Sequence, residues 1–199
     1  GAPGAFDEHG IFPMNVLRDG ARVLGYTSGV NRRVSVPVDS AIGLAVSDET
    51  DFRHTLSRDE LCEIVALHDG LGLIDYVTCG TASYFNFEKQ MPTFLFPEKL
   101  GMDLAARLKQ VVRHALVTVE SHVRTPENAE TVLGEGAADL VSIVRGQIAD
   151  PHLVNKALEG RPEDIRGCLS CNQMCWGRRS RDYWISCLVN PSAGREFEW

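Results

Sequence analysis

Short apolar runs alternate with stretches of helical periodicity through the middle of this 199-residue chain, and that alternation restricts its fold more than any other feature. The run Ala41 to Val46 reads as a buried strand. Ser57-Arg58-Asp59-Glu60 has capping-box spacing before a helix that carries Leu61, Ile64 and Val65 on one face. Leu73 to Val77 reads as the next strand, Asp103 to Arg113 as a helix, and Ala115 to Val119 as a third strand. Thr125-Pro126-Glu127 opens another helix, and Asp139 to Val144 is a fourth strand. Asp150-Pro151 supplies a cap and a first-turn proline for a further helix, which Gly160 closes. Continuous apolar strands joined by helices imply an α/β fold with a parallel sheet covered by helices. A doubly wound sheet and part of a (β/α)8 barrel both fit, and both place ligands at the carboxyl ends of the strands. No Gly-x-Gly-x-x-Gly follows a strand, so a dinucleotide-binding version lacks support. Before this region, Phe12-Pro13 through Leu24 reads as one helix weakened by Gly20, and Gly29 to Arg33 as a loop.

Four of the six cysteines crowd the end of the chain with the spacing Cys168-x2-Cys171-x3-Cys175-x11-Cys187. Three thiols in eight residues, with a fourth returned by a short loop, can wrap a compact cluster, which suits a [4Fe–4S] centre. A zinc ribbon usually offers two Cys-x2-Cys knuckles, and the second is missing here, so zinc or inert thiols are the weaker alternatives. Disulfides are weaker still, because near neighbours such as Cys168 and Cys171 bridge poorly. Cys62 and Cys79 stand in apolar segments and read as buried small hydrophobes.

A formal charge of −7 gives no electrostatic footprint for a nucleic acid, and the one basic run, Arg178-Arg179-Ser180-Arg181, lies inside the cysteine loop. No apolar stretch reaches the length of a bilayer span, and the first residues lack a signal-peptide pattern, so a cytoplasmic, reducing location is the expectation. The hydrophobic share of 44% suffices for one sizeable core followed by a small cysteine-bearing tail.

Three stretches together carry a resemblance: Val141 to Pro151 (VSIVRGQIADP), Pro162 to Gln173 (PEDIRGCLSCNQ) and Cys187 to Pro191 (CLVNP). They resemble the FMN/[4Fe–4S] members of the old yellow enzyme family, of the 2,4-dienoyl-CoA reductase and trimethylamine dehydrogenase type. The resemblance implies a partial TIM barrel: residues 1–160 as the carboxyl-terminal half, with its fifth to eighth strands, and residues 161–199 as the cluster-binding segment. It implies an oxidoreductase acting on a small molecule, an enoyl or dienoyl thioester or an N-methylated amine. It also implies partners for the chain, namely the first four strands and a nucleotide-binding domain, in cis or in trans. FAD or NAD(P)H would belong to that domain, which would begin about where Glu198-Trp199 stand, and a second copy of the chain is a further candidate partner. Two unpaired parallel edges are expected of such a half barrel. The competing reading is a non-catalytic zinc-binding or degenerate scaffold fragment of the same family.

The resemblance assigns FMN to Ser121, His122, Val144, Arg145 and Gly146, and the cluster to Cys168, Cys171, Cys175 and Cys187. Arg145 at a strand end can fork onto phosphate oxygens, and Gly146 lets backbone approach a phosphate. Ser121-His122 stands where family members usually carry Gly-Arg, and Ala45 where they carry an arginine against the flavin. The loop Tyr84-Phe85-Asn86-Phe87-Glu88 replaces one bearing a histidine, leaving Tyr84 and Glu88 as candidate proton carriers. Its aromatics could receive an alkylated amine by cation–π contact or simply pack over the site.

Overall fold

The computed structural model describes residues 11–19, 22–32, 38–48, 56–82 and 87–198; before residue 56 it describes side chains only at Leu44 and Val46. Six strands form one sheet in chain order: β1 (Ile11–Asp19), β2 (Arg22–Arg32), β3 (Val38–Asp48), β4 (Tyr76–Thr81), β5 (Leu116–Val119) and β6 (Leu140–Val141). The first three pair antiparallel, and β3 through β6 pair parallel. Register aligns Val46 with Cys79, Cys79 with Val119, and Val119 with Val141, so the carboxyl ends of four parallel strands lie side by side. This is the α/β architecture with a parallel sheet that the alternating pattern implies.

The connections are α1 (Arg58–Gly70), α2 (Phe87–Gln90), α3 (Met102–Val111), α4 (Pro126–Gly134), α5 (Arg145–Ala149), α6 (Leu153–Leu158) and α7 (Trp176–Arg179). Ser57 and Glu60 form the reciprocal capping box at α1. Thr125 caps α4 through the N–H of Asn128, with Pro126 in the first turn. Val65 of α1, Leu104 and Leu108 of α3 and Val132 of α4 bury their side chains with Val77, Cys79, Val117 and Val119 of the sheet. Each fully buried valine or leucine stabilises by about 1.5–3 kcal/mol. Leu116 and Leu140 alternate with these buried positions and stay nearly half exposed, so helices cover one face of the sheet and leave the other open. Among the described residues, no helix is long and apolar enough to cross a membrane.

Five expectations are corrected. The segment read as a helix and a loop before Arg33 is the β1–β2 hairpin, with Asp19 opposite Arg22. Asp19-Gly20 is a hairpin-turn dipeptide, and Val23, Tyr26, Thr27 and Val30 favour strand over helix. Pro13 is accommodated at the register shift between Phe12 and Asn15, where a missing N–H costs no ladder bond. Pairing with β2 also closes the β3 edge, so among the described residues the β6 side alone is a bare parallel edge.

The strand expected at Leu73 to Val77 begins later, at Tyr76, because the Leu73 N–H is taken by the His68 carbonyl where α1 ends. The last strand is two residues rather than six: Ser142 to Val144 lead directly into α5. Asp150-Pro151 form a turn ahead of α6, which starts at Leu153 and is closed by the left-handed Gly160.

Two buried carboxylates tie these connections down. Asp69, at the end of α1, accepts from the N–H groups of Arg113, His114 and Ala115 at 2.7, 3.1 and 2.6 Å, fixing the start of β5. Burial pushes its pKa up, but these donors outweigh burial and hold it below the usual range. Asp150, fully buried, accepts from Lys156 Nζ at 2.6 Å and from the N–H groups of His152 and Arg166 at 3.0 and 2.9 Å. Burial again acts upward, and Lys156 with the two N–H groups overcomes it to bring the pKa to about 2.

A carboxylate depressed in the folded state stabilises above its unfolded pKa of roughly 3.9, and the benefit is lost as pH falls toward the folded value. Asp150→Asn is therefore expected to cost about 2 kcal/mol at neutral pH, with the deficit shrinking between about pH 4 and pH 2. Urea unfolding across that range checks it, and a pH-independent deficit would contradict the assignment.

Candidate functional site

The aligned strand ends open into a cleft of about 360 Å³. Glu120, Ser121, His122 and Arg124 after β5, Ser142 and Val144 after β6, and Arg145 of α5 form one wall. Phe87, Gln90 and Met91 on the α2 side and Trp176 of α7 form the other, with the Phe87 and Trp176 rings 4.5 Å apart and tilted by 33°. Ser121 and His122 are successive non-glycine residues in the left-handed region, at φ of 68° and 67°. Such backbone costs of order 1–3 kcal/mol per residue and persists only when its surroundings enforce it. Here the carbonyls of both accept from the N–H groups of Leu100 and Lys99, and Ser121 Oγ accepts from the Thr81 N–H at 3.0 Å.

His122 is buried. Its Nδ1 lies 2.8 Å from the Pro97 carbonyl oxygen, and since a carbonyl only accepts, Nδ1 carries the hydrogen. Its Nε2 lies 2.9 Å from Ser170 Oγ. Burial lowers the His122 pKa, joined by the Arg145 and Arg124 charges and opposed by the Pro97 bond and Glu98, so the ring is neutral near pH 7. Glu120 faces the cleft with its pKa raised by burial.

Arg145 donates from Nη1 to the Pro92 carbonyl at 2.7 Å and to Asn172 Oδ1 at 2.6 Å. Among the described residues its Nε and Nη2 make no hydrogen bond, leaving the forked edge of the guanidinium for a ligand. Arg124 is committed: it pairs with Glu98, which also accepts from Asn128, and donates from Nη1 to the Cys168 carbonyl at 2.6 Å. Gly146 does not line the cleft. A Cβ there would lie 2.6 Å from the Arg124 carbonyl oxygen and 2.7 Å from Ile143 Cγ2, so its missing side chain makes room for the turn after β5.

Cys168, Cys171, Cys175 and Cys187 all line a second, small cavity of about 20 Å³, walled by Ile148, Leu169, Met174, Leu188 and Val189. Arg145 borders this cavity as well as the cleft. The loop is tied together by the Ser186 N–H to the Met174 carbonyl and the Gly177 N–H to the Asn172 carbonyl; Asn190 donates to the Ile148 carbonyl at 2.9 Å. Ser186 Oγ, next in the chain to Cys187, is buried without a hydrogen-bond partner, and the Ser170 N–H lies 3.4 Å from Cys168 Sγ. None of the six cysteines is in a disulfide. Among the described residues, no three His, Cys, Asp or Glu side chains close around a single ion. Cys62 and Cys79 are buried far from this loop in sequence, and burial, assisted by Glu120, pushes Cys79 up to about 12.

Of the residues singled out in the sequence, the fold therefore brings Ser121, His122, Val144 and Arg145 to one cleft and the four distal cysteines to one cavity. Glu88 is exposed on α2 and does not line the cleft. Tyr84 lies outside the described residues, as does the side chain of Ala45. Glu120, Arg124, Ser170 and Asn172 escaped the sequence reading. Only Glu120 left a signal, as the first charged residue after an apolar strand.

Gly146→Ala is expected to destabilise the chain by about 1–3 kcal/mol through overpacking against Arg124 and Ile143. Denaturant midpoints of the two proteins check this, and an unchanged midpoint would show that the turn yields freely.

Comparisons with known proteins agree with this geometry. Residues 9–164 match the model of the NADH:flavin oxidoreductase / NADH oxidase family. The chain is 34% identical over 197 residues to an NADH oxidase of Thermoanaerobacter brockii, covering 90% of this chain and 29% of that protein. Among solved structures, it is similar to a 2-naphthoyl-CoA reductase in complex with 2-naphthoyl-CoA, with a TM-score of 0.69 and 28% identity over 78% of this chain and 23% of that one. It is also similar to a histamine dehydrogenase from Rhizobium sp. 4-9, with a TM-score of 0.70 and 27% identity over 78% of this chain and 22% of that one. The chain thus spans less than a third of the length of these relatives.

Proposed function

The chain belongs to the NADH:flavin oxidoreductase / NADH oxidase family, and from that premise we propose that it is the carboxyl-terminal half of a flavin-binding barrel, residues 1–160, followed by a [4Fe–4S]-binding segment, residues 161–199. One observation carries the reading: four cysteines share an apolar cavity bordered by Arg145, which also borders the cleft at the strand ends. A single tetrahedral zinc with Zn–S bonds near 2.3 Å needs its sulfurs within about 4 Å of one another. A cuboidal cluster interposes its own atoms and accepts a wider ring of thiolates. All four thiols line one apolar cavity, which is what a cuboidal cluster requires of its ligands. The buried, partnerless Ser186 hydroxyl beside Cys187 is a donor suited to a sulfur acceptor.

The cleft suits the phosphate end of FMN. Arg145 offers its forked edge, and Ser121 brings a hydroxyl to the strand ends. Arg124, Ser142 and Val144 complete the wall. FMN would supply hydride and single-electron chemistry and the cluster single-electron transfer, while the protein holds the two within short reach. Arg145 orients the cleft side and Asn172 the cysteine side through one hydrogen bond. Glu120, rather than the exposed Glu88, is the described carboxyl group positioned to hold or move a proton in the cleft.

Enoyl thioesters and N-methylated amines remain the substrate classes, and the tilted Phe87–Trp176 pair in the same cleft as Glu120 favours a cationic amine. The open sheet face at Leu116 and Leu140 is where the first four barrel strands would pack. A nucleotide-binding domain carrying FAD or NAD(P)H would follow the cluster segment.

Anaerobically purified protein is expected to be brown with about four irons per chain, and Cys171→Ala to lose them. Stoichiometric zinc, or neither metal, would replace the redox assignment with a scaffold role. Arg145→Ala is expected to weaken FMN binding at least tenfold by fluorescence titration. Equal affinity in the two proteins would remove Arg145 from the flavin site.

A further inference from the structure

Three side chains from the strand-end turns grip alternate residues of the cysteine loop. Arg124 Nη1 donates to the Cys168 carbonyl at 2.6 Å, His122 Nε2 meets Ser170 Oγ at 2.9 Å, and Arg145 Nη1 donates to Asn172 Oδ1 at 2.6 Å. Cys171 stands between the second and third grips. Ser170 is fully buried and, like Asn172, sits in the left-handed region, at φ of 50° against 56°. Serine has no intrinsic preference for that conformation, so something must hold it there.

The hydrogen bonds fix where each proton points. Nδ1 of His122 gives its hydrogen to Pro97, so Nε2 of the neutral ring presents a lone pair. The Ser170 hydroxyl has one hydrogen and spends it on that lone pair. It therefore has none to offer a neighbouring sulfur. The Ser170 backbone N–H is left facing Cys168 Sγ at 3.4 Å. Hydrogen bonds to ligand sulfur stabilise the more negative, reduced state of an iron–sulfur centre and raise its potential.

We propose that His122 and Ser170 act as one positioning pair: the histidine holds the serine in its left-handed turn, and the turn aims the Ser170 N–H at the Cys168 sulfur, setting the reduction potential of the centre held by the cysteine loop. The inference rests on the cluster reading above and goes beyond it by assigning control of the potential to a side chain of the cleft. Neither residue ligates iron in this arrangement. His122 thereby acts toward the cysteine loop as well as bordering the cleft, and the same ring that shapes one cavity tunes the contents of the other.

The test is a double-mutant cycle read by redox titration of the visible and electron paramagnetic resonance signals of the anaerobically prepared chain. Ser170→Ala removes the hydroxyl, and His122→Asn keeps a donor for Pro97 but falls short of Ser170. Each alone is expected to move the potential in the negative direction and to alter the reduced-state signal. Together they should shift it no further than either one does, because residues acting as a unit are non-additive. His122→Gln, whose amide oxygen can accept from Ser170, should restore the wild-type potential.

Potentials and signals unchanged in both single variants, or shifts that add in the double variant, would overturn the pair. Should Ser170→Ala assemble no cluster, the contrast between His122→Asn and His122→Gln decides, and equal potentials in those two would overturn it. A wild-type chain that holds no iron at all overturns the cluster reading itself, a result distinguishable from failure of the pair.

Discussion

The parallel register that sets Val46, Cys79, Val119 and Val141 in one line across the sheet determines where every polar group of the site can stand. Successive strands of a parallel sheet deliver their next residues to the same edge, so Thr81, Glu120-Ser121-His122 and Ser142 emerge together. The register is held from the opposite end, where the Asp69 carboxylate fixes three N–H groups ahead of β5 and Asp139 accepts from the Val117 N–H ahead of β6. Burial penalises both charges, and the donors they satisfy outweigh it. Two carboxylates at the amino-terminal edge thus fix the geometry of a cleft at the carboxyl-terminal edge.

From the cleft, order passes to the cysteine loop through arginines rather than through apolar packing. Arg124 is neutralised by Glu98 and braced by Asn128, which leaves one nitrogen for the Cys168 carbonyl. Arg145 divides its hydrogens between Pro92 and Asn172 and keeps a free edge. Arg145 borders the cavity of the four thiols, and a fixed cation there would lower the cost of gathering thiolate charge in a half-buried place. The loop's outer side is also basic, with Arg178 stacked over the Tyr183 and Trp184 rings at 5.8 and 5.1 Å. A chain of net charge −7 therefore concentrates positive charge around its four distal cysteines.

What the sequence made legible follows the range of the interactions involved. The Ser57–Glu60 box, the Thr125-Pro126 start and the alternation of strand and helix are local, spanning a few residues each, and the structure reproduces them. The β1–β2 hairpin is not legible locally, because Phe12, Val16 and Leu17 also fit a helical face and pairing with β3 decides for strand. β6 is shorter than its sequence suggests for the opposite reason: Ser142 to Val144 are strand-prone, yet the chain turns there into the helix that begins at Arg145. In the site, the cysteine spacing was readable because the four residues serve one loop. The roles of Ser170 and Asn172 were not, since each meets a partner 48 or 27 residues away and nothing in their own neighbourhood marks it. Gly146 shows the limit from another side: a glycine beside a strand-end arginine suggests room for a phosphate, and the room is filled by the Arg124 carbonyl.

The two proposed cofactors differ in how much of the fold each requires. All four distal cysteines fall within twenty residues, and the contacts that shape their loop come from Met91, His122, Arg124, Arg145 and Ile148, all within this chain. The cluster's surroundings are therefore built once β4 to β6 and their connections have folded. A flavin over the strand ends would instead draw on the whole ring of strands, and the face bearing Leu116 and Leu140 is still open to solvent. Binding energy scales with the contacts that a rigid site presents in advance, so a half ring supplies a phosphate anchor without the enclosure that desolvates an isoalloxazine ring. In this arrangement the cysteine segment draws on contacts already present in the chain, and the proposed flavin cleft would depend on what completes the proposed barrel.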